Sequence, residues 1–166
     1  MEASMGRRRV AIGYSLFCLL MGSAHAAGCK GASCDGKDPV AMGCSSTAVT
    51  AKSVKYSGPY DDLFVDLRWS AICGTNWTRI RWENRFAAGS PPPNASTLWV
   101  IRTTIDPSTK TKVINGDGIF YTAMLNGTGG RCVKGKGIGT VFGQVAKTPS
   151  STHWVPITVS LETQCM

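Results

Sequence analysis

The stretch LFVDLRWSAICGTNWTRIRWE, residues 63–83, decides the fold class. In its first part, apolar side chains occupy every second position: Leu63, Val65, Leu67 and Trp69. Residues 76–83 repeat this period of two, which is typical of a β-strand with one buried face. We therefore expect two strands here, each of which buries one row of side chains and leaves the other row in solvent.

The rest of the chain repeats this pattern in short segments separated by turns. Residues 47–56 and 63–69 flank a Ser-Gly-Pro turn and form a predicted hairpin. Further strands are expected at 97–105, 110–114, 119–125, 138–147 and 154–162. Many short strands without a helical period predict an all-β fold, a small disulfide-stapled antiparallel sandwich or barrel-like sheet.

Two glycine-containing connections carry more specific expectations. The Asn-Gly and Asp-Gly pairs at 115–118 favour a tight hairpin between 110–114 and 119–125, because these residues tolerate positive φ. The segment GRCVKGK, 130–136, nearly matches a phosphate-binding loop, but Gly137 stands where that loop needs serine or threonine. We therefore expect Lys134 and Lys136 to lie in a solvated loop.

The cysteines predict a disulfide framework. Cys18 lies in an apolar N-terminal segment, and six cysteines remain: Cys29, Cys34, Cys44, Cys73, Cys132 and Cys165. An even number in an exported chain is typical of disulfides, whereas a zinc site would need closely spaced thiolates, and no C-x-x-C pair occurs. Sequence alone leaves the connectivity open; joining near neighbours predicts Cys29–Cys34, Cys44–Cys73 and Cys132–Cys165.

Residues 1–26 have the layout of a secretory signal peptide. A basic segment, 7–9, precedes the apolar run VAIGYSLFCLLMG, and small residues follow at Ala24 and Ala26. The run is shorter than the roughly 20 residues of a membrane-spanning helix. We expect cleavage after Ala26 and a secreted or periplasmic protein without a transmembrane segment. Twin-arginine export and lipid attachment at Cys29 stay open as alternatives.

The predicted mature chain, 27–166, is a moderately basic single domain. Three arginines and Glu2 leave with the signal peptide, so 15 basic and 9 acidic residues remain, a net charge of +6. A chain of this length buries roughly 68% of its unfolded surface, enough for one core. We expect a ligand outside the cytoplasm and no nucleic acid, and the oligomeric state is left open.

Two motifs resemble a family of exported proteins. CDGKDPVAMGC, residues 34–44, contains the pattern C-x-G-x-D-P-x-x-x-G-C, and CGTNWTR follows at 73–79. Together they resemble the bacterial YjfA-like family of small exported proteins of unknown function, with a family-like core over 29–82. The resemblance implies export and a disulfide-bearing domain, and it implies no activity.

No catalytic, cofactor-binding or metal-binding constellation is predicted. Asp35 and Asp38 are too few for calcium, which takes about six to eight oxygen ligands, and are expected to shape a turn. His153 is the only histidine after residue 26, and no G-x-S-x-G motif accompanies it.

The candidate binding surface is a row of basic and aromatic side chains on the expected solvent face: Trp77, Arg79, Arg81 and Arg68. Guanidinium groups beside an exposed aromatic ring can hold anionic or sugar-like ligands. The alternative is structural, with Trp77 covering the Cys44–Cys73 neighbourhood and the arginines paired with Asp66 and Glu83.

These observations favour an exported, non-enzymatic binding or interaction module. The expected ligand is an anionic envelope polymer or a protein partner, and no cofactor is expected. One alternative is a small secreted hydrolase, which would need two carboxylates at a set separation, with Glu83 and Glu162 among those available. Another is a secreted inhibitor or toxin-like factor.

Overall fold

The protein is a sandwich of two antiparallel β-sheets. The computed structural model describes residues 27–58, 62–83, 94–114, 116, 118–148 and 151–166. The predicted signal peptide, 1–26, lies outside these residues. Among the described residues, no helix has the length and apolar composition needed to cross a membrane.

Nine described strands form the two sheets, after a short 3₁₀ helix at Gly31–Cys34. The first sheet contains β1 Val49–Ser57, β2 Asp62–Ser70, β3 Thr75–Glu83, β6 Phe120–Tyr121 and β7 Leu125–Asn126, in the order β1-β2-β3-β6 with β7 also on β3. The second sheet contains β4 Asn94–Arg102, β5 Ser108–Val113, β8 Val133–Thr148 and β9 Ser151–Glu162, in the order β5-β4-β8-β9. The all-β prediction is confirmed, and the architecture is the sandwich.

The predicted hairpins have different outcomes. β1 and β2 pair as expected, with Val54 opposite Val65. The hairpin predicted across 115–118 is wrong, because β5 pairs with β4 in one sheet while β6 pairs with β3 in the other. The chain therefore crosses between the sheets at this point. Asn-Gly and Asp-Gly pairs indicate where a chain can turn, and not which strand it meets afterwards.

The core lies between the sheets and is built from the alternating rows of side chains. Its fully buried members include Leu63, Val65, Ile80 and Leu98, each with no exposed surface. Burial of one such side chain stabilises a fold by about 1.5–3 kcal/mol. Since these residues come from both sheets, they fix which face of each strand points outward.

The glycine and lysine segment belongs to β8, so its assignment to a loop is wrong. Gly135 and Gly137 point inward, where an added Cβ would lie 2.7 Å from Thr78 Oγ1 and 2.8 Å from Val65 Cγ2 respectively. Lys134 and Lys136 alternate with them and point outward. The sheets approach so closely here that the inward positions favour glycine, and the strand therefore lacks the apolar row that marks strands in a sequence.

The three predicted disulfides are present: Cys29–Cys34, Cys44–Cys73 and Cys132–Cys165. Cys44–Cys73 joins residues 27–48, which we call the disulfide segment, to the turn before β3, and Cys29–Cys34 closes a short loop within that segment. Gly31 N also donates to Cys73 O at 2.7 Å. The disulfide segment therefore packs over one end of the first sheet.

Candidate functional site

The four candidate residues all belong to the outer side of the first sheet. The β2–β3 register sets three outward pairs side by side: Arg68 with Trp77, Asp66 with Arg79, and Phe64 with Arg81. We call this surface the arginine face and define it by the outward side chains Ser53, Lys55, Asp62, Phe64, Asp66, Arg68, Arg79, Arg81, Glu83 and Tyr121.

Asp66 lies at the centre of the arginine face, and its side chain is fully buried. One carboxylate oxygen, Oδ2, accepts from Arg79 Nη2 at 2.7 Å and from Arg81 Nε at 2.9 Å, while Oδ1 accepts from Ser53 Oγ at 2.6 Å. Burial alone raises the pKa of Asp66, but these hydrogen bonds outweigh it, so its pKa lies below the ordinary 3.8. Asp66 is therefore a fixed anion that orients both guanidinium groups.

The two arginines remain accessible although they share this carboxylate. The Arg79 side chain is 27% exposed and the Arg81 side chain is 22% exposed. Arg81 also pairs with Glu83, and its guanidinium lies 3.9 Å from the centroid of the Phe64 ring. The face thus presents two oriented guanidinium groups, one of them beside an aromatic ring.

Arg68 supplies the third guanidinium of the arginine face. It hydrogen-bonds to a side chain of β1 and to the backbone of the disulfide segment. Its Nη1 donates to Thr50 Oγ1 at 2.7 Å, and its Nη2 donates to the carbonyl oxygen of Ala48. Burial lowers the pKa of Arg68, and repulsion from the nearby Arg79 lowers it further. The attraction of Asp66 opposes both effects but does not cancel them.

Trp77 is not an exposed aromatic residue, as its place in the candidate binding surface would require. It is only 3% exposed and packs in a cluster with the four cysteines of the first two disulfides and Met124. The strand alternation was assigned correctly, but the disulfide segment covers this end of the outward row. Trp77 is core, as the structural alternative proposed, and the accessible candidates are the arginines.

Sequence reasoning missed several members of the surface. Phe64 and Lys55 are cross-strand partners, and the Lys55 ammonium lies 5.3 Å from the Phe64 ring centroid and 2.9 Å from Asp62. At the other edge, Lys112 of β5 reaches over Tyr121, 5.1 Å from its ring centroid. Alternation places Phe64 on the same face as Asp66 and Arg68, whereas the Lys112 contact depends on sheet packing and leaves no sequence signal.

The charges around the arginine face do not balance. Among the residues that the structure describes, five cations lie on it or at its edge, namely Lys55, Arg68, Arg79, Arg81 and Lys112, against the three carboxylates Asp62, Asp66 and Glu83. Lys112 has no carboxylate within ion-pair distance among the described residues. This part of the surface therefore carries excess positive charge that is available to an anion.

The carboxylates named for a hydrolase do not form a pair. Glu83 ends β3 and lies on the arginine face, where it pairs with Arg81. Glu162 ends β9, opposite Lys136 on the outer side of the second sheet, and pairs with Lys134. They are on opposite sides of the sandwich, whereas glycoside hydrolysis needs two carboxyl groups within about 10 Å that flank one bond.

Asp35, Asp38 and the clustered cysteines have structural partners. Asp38 Oδ1 accepts from the backbone N–H groups of Val40 and Ala41 at 2.8 and 3.0 Å, which shapes a turn. Asp35 pairs with Arg102 at 2.9 Å. The sulfur atoms of Cys29, Cys34 and Cys44 lie within 4.8 Å of one another, but all three are in disulfides and offer no thiolate to a metal.

A model of a known protein family matches a large part of this chain. A model described as "Protein of unknown function (DUF2690)" matches residues 32–135, more than half of the chain. The chain belongs to the DUF2690 family. The match extends well beyond the family-like core expected at 29–82, and it includes the arginine face and the start of β8. No curated protein and no solved structure matches the chain. DUF2690 membership therefore carries no activity with it.

Proposed function

We propose that this DUF2690 domain is a non-enzymatic module that binds an anionic envelope polymer on the arginine face. The observation that carries the proposal is the group of three guanidiniums around one buried carboxylate. Asp66 accepts hydrogen bonds from Arg79 and Arg81 and orients both, while Arg68 lies on the same face and hydrogen-bonds to Thr50 and Ala48. Arginine forms directed, charge-assisted hydrogen bonds to phosphate and carboxylate groups, so an acidic polymer is the ligand class that fits.

The layout of the cations favours a polymer over a single small anion. Lys55 lies on β1, Arg79 and Arg81 lie on β3, and Lys112 sits beyond β6 at the far edge. Neighbouring strands are spaced about 4.8 Å apart, so four strands spread these charges over about 14 Å. A chain that carries repeated anionic groups can contact several of them at once, and each contact adds to the affinity.

The test of this surface should leave Arg79 and Arg81 in place. Removing both would leave the buried carboxylate of Asp66 without a cationic partner and would destabilise the fold. We expect the double variant Lys55→Gln/Lys112→Gln to bind inorganic polyphosphate about tenfold more weakly at low salt. Titration calorimetry against polyphosphate at increasing salt measures this, and the difference should shrink as salt screens the exposed charges.

The matched control removes the same charge from the other side of the sandwich. Lys134→Gln/Lys136→Gln should change polyphosphate affinity by less than about twofold, since these lysines lie on the outer side of the second sheet. Equal losses in the two double variants would show that only net charge matters and would refute the arginine face as the site.

We also propose that the protein acts outside the cytoplasm after cleavage near Ala26, as the YjfA-like resemblance and the signal-like segment 1–26 suggest. Three disulfides support this location, because such bonds persist in oxidising compartments. Intact mass of the protein exported by a bacterial host should correspond to a chain starting near Ala27 and lacking six thiol hydrogens. A chain that retains residues 1–26, or free thiols in exported material, would contradict the proposal.

A further inference from the structure

The three disulfides differ in their access to solvent. Three of the four cysteines in the first two bridges have no exposed surface, and the fourth, Cys29, is 9% exposed. In the third bridge, Cys165 is exposed and Cys132 is half-buried. Thiol–disulfide exchange begins when a thiolate reaches a sulfur atom of the bridge. A thiol in solution therefore has access to Cys132–Cys165, whereas the fold shields the other two bridges.

The surroundings of Cys132 favour one direction of exchange. Thr103 Oγ1 donates to Cys132 Sγ at 3.0 Å. When the bridge opens, a hydrogen bond of this kind stabilises the thiolate of Cys132, and a more stable thiolate is a better leaving group. Since Cys165 is the more exposed residue of the pair, the favoured reaction is attack on Cys165 Sγ with departure of Cys132.

The bridge joins two strands that other contacts already hold together. β8 and β9 pair along an antiparallel ladder that begins with Lys136 opposite Glu162. Next to this pair, the Thr163 N–H donates to the Gly135 carbonyl oxygen at 2.8 Å, and the Gly135 N–H donates to Thr163 Oγ1 at 2.9 Å. None of these contacts passes through sulfur. β8 and β9 therefore stay paired when the bridge opens.

The segment after Thr163, residues 164–166, depends much more on the bridge. The Met166 N–H donates to the Val133 carbonyl oxygen at 3.1 Å, and Asn76 Nδ2 donates to Met166 Sδ at 3.7 Å. A thioether sulfur is a weak acceptor, and Met166 is 40% exposed, so water can replace both contacts. Opening the bridge therefore releases residues 164–166 from β8 and from Asn76 and leaves the sandwich intact.

We infer that Cys132–Cys165 is a thiol-exchange site whose partner is a dithiol, the reactive group of thiol–disulfide oxidoreductases. One thiolate of the dithiol forms a bond to Cys165 Sγ, the S–S bond of the bridge breaks, and Cys132 takes up a proton. The second thiolate of the dithiol then attacks the first sulfur of the dithiol in this mixed disulfide and releases Cys165, which takes up a second proton. The protein gains two electrons and two protons, and the dithiol is oxidised to a disulfide.

This inference does not rest on polymer binding, because neither cysteine belongs to the arginine face. Limited reduction of the oxidised protein with dithiothreitol under native conditions tests it. Excess N-ethylmaleimide stops the reaction at successive times, and peptide mass spectrometry measures the label on each cysteine. We expect Cys132 and Cys165 to be labelled about tenfold faster than the other four cysteines, because shielded bridges react only after the fold opens. Equal labelling rates for all three bridges would overturn the inference.

Brief treatment with 2-mercaptoethanol identifies the attacked sulfur, because a monothiol forms the mixed disulfide and carries no second thiol to resolve it. We expect the adduct on Cys165 and a free thiol on Cys132. Thr103→Val, which removes the hydrogen bond to Cys132 Sγ, should slow the reduction about twofold to fivefold. The matched control is Thr104→Val, because Thr104 Oγ1 accepts from the Cys132 backbone N–H at 2.8 Å, and it should not slow the reaction. Adducts on Cys132, or equal slowing in both variants, would overturn the assigned direction.

The state of the fold after selective reduction is a separate measurement. With only Cys132–Cys165 open, we expect an unchanged far-ultraviolet circular dichroism spectrum and a cooperative thermal melt. Hydrogen exchange should show that the Met166 amide loses its protection, because its hydrogen bond to Val133 is released. A sandwich that unfolds when this bridge opens, or a Met166 amide that is equally protected in both forms, would contradict exchange in the folded protein.

Discussion

Replacing Cys44 and Cys73 together by alanine is expected to lower the free energy of unfolding by about 3.6 kcal/mol, from the entropy that a bridge of this span removes from the unfolded chain. The bridge closes a sequence separation of 29 residues and joins the disulfide segment to the turn before β3. Both cysteines are fully buried against Trp77, so packing is lost as well. Urea unfolding of the oxidised protein measures the effect.

The matched control is Cys29→Ala/Cys34→Ala, which removes a bridge of separation 5 from the same cluster. The chain-entropy relation gives about 2.2 kcal/mol for so short a loop, so this pair should cost less. Trp77 fluorescence should change more in the Cys44 and Cys73 variant, because the disulfide segment then no longer covers the ring. Equal stability of the two double variants would contradict the role given to the longer bridge.

Arg102→Met is expected to destabilise the fold by about 2 kcal/mol, because it removes hydrogen bonds between charged groups, which contribute about 1.5–3 kcal/mol each, while the two carboxylates left behind can be hydrated. The Arg102 side chain is only 4% exposed and pairs with Asp35 and Asp106, each at 2.9 Å. It also donates to the backbone oxygen of Asn126 at 3.3 Å. One side chain therefore links the disulfide segment, the turn after β4, and β7.

Arg131→Met is the control for Arg102, because it removes a second arginine from the same carboxylate. Arg131 Nε lies 2.8 Å from Asp106, but its side chain is 21% exposed and Asp106 is 48% exposed, so water can replace this contact. We expect a loss below about 1 kcal/mol, as for surface ion pairs. Thermal melts of the two variants compare them, and a larger effect for Arg131→Met would refute the central position of Arg102.

The strand pattern and the disulfides could be predicted because they depend on local sequence. Leu63, Val65 and Ile80 alternate with polar residues, and this alternation is enough to assign the buried and outward rows of β2 and β3. Neighbouring cysteines were paired correctly because the chain returns to the same place over short separations.

The features that sequence did not reveal are decided by contacts between distant segments. Burial of Trp77 requires the disulfide segment to lie over one end of the sheet, which alternation cannot show. β8 was partly missed because Gly135 and Gly137 fill its inward row, and their role depends on Val65 and Thr78 across the sandwich. Lys112 lies at the edge of the arginine face, over Tyr121, because the two sheets pack together.

The most direct test of the arginine face compares two substitutions that add the same charge on opposite sides of the sandwich. Glu83 and Glu162 are both partly exposed, at 51% and 39%, and each pairs with one cation, Arg81 and Lys134 respectively. Polyphosphate affinity at low salt is the measurement for Glu83→Gln and Glu162→Gln. We predict an increase of about twofold to fivefold for Glu83→Gln, because it removes one of the two carboxylates that pair with Arg81, and no change for Glu162→Gln. An equal increase in both variants, or none in Glu83→Gln, would contradict binding on the arginine face.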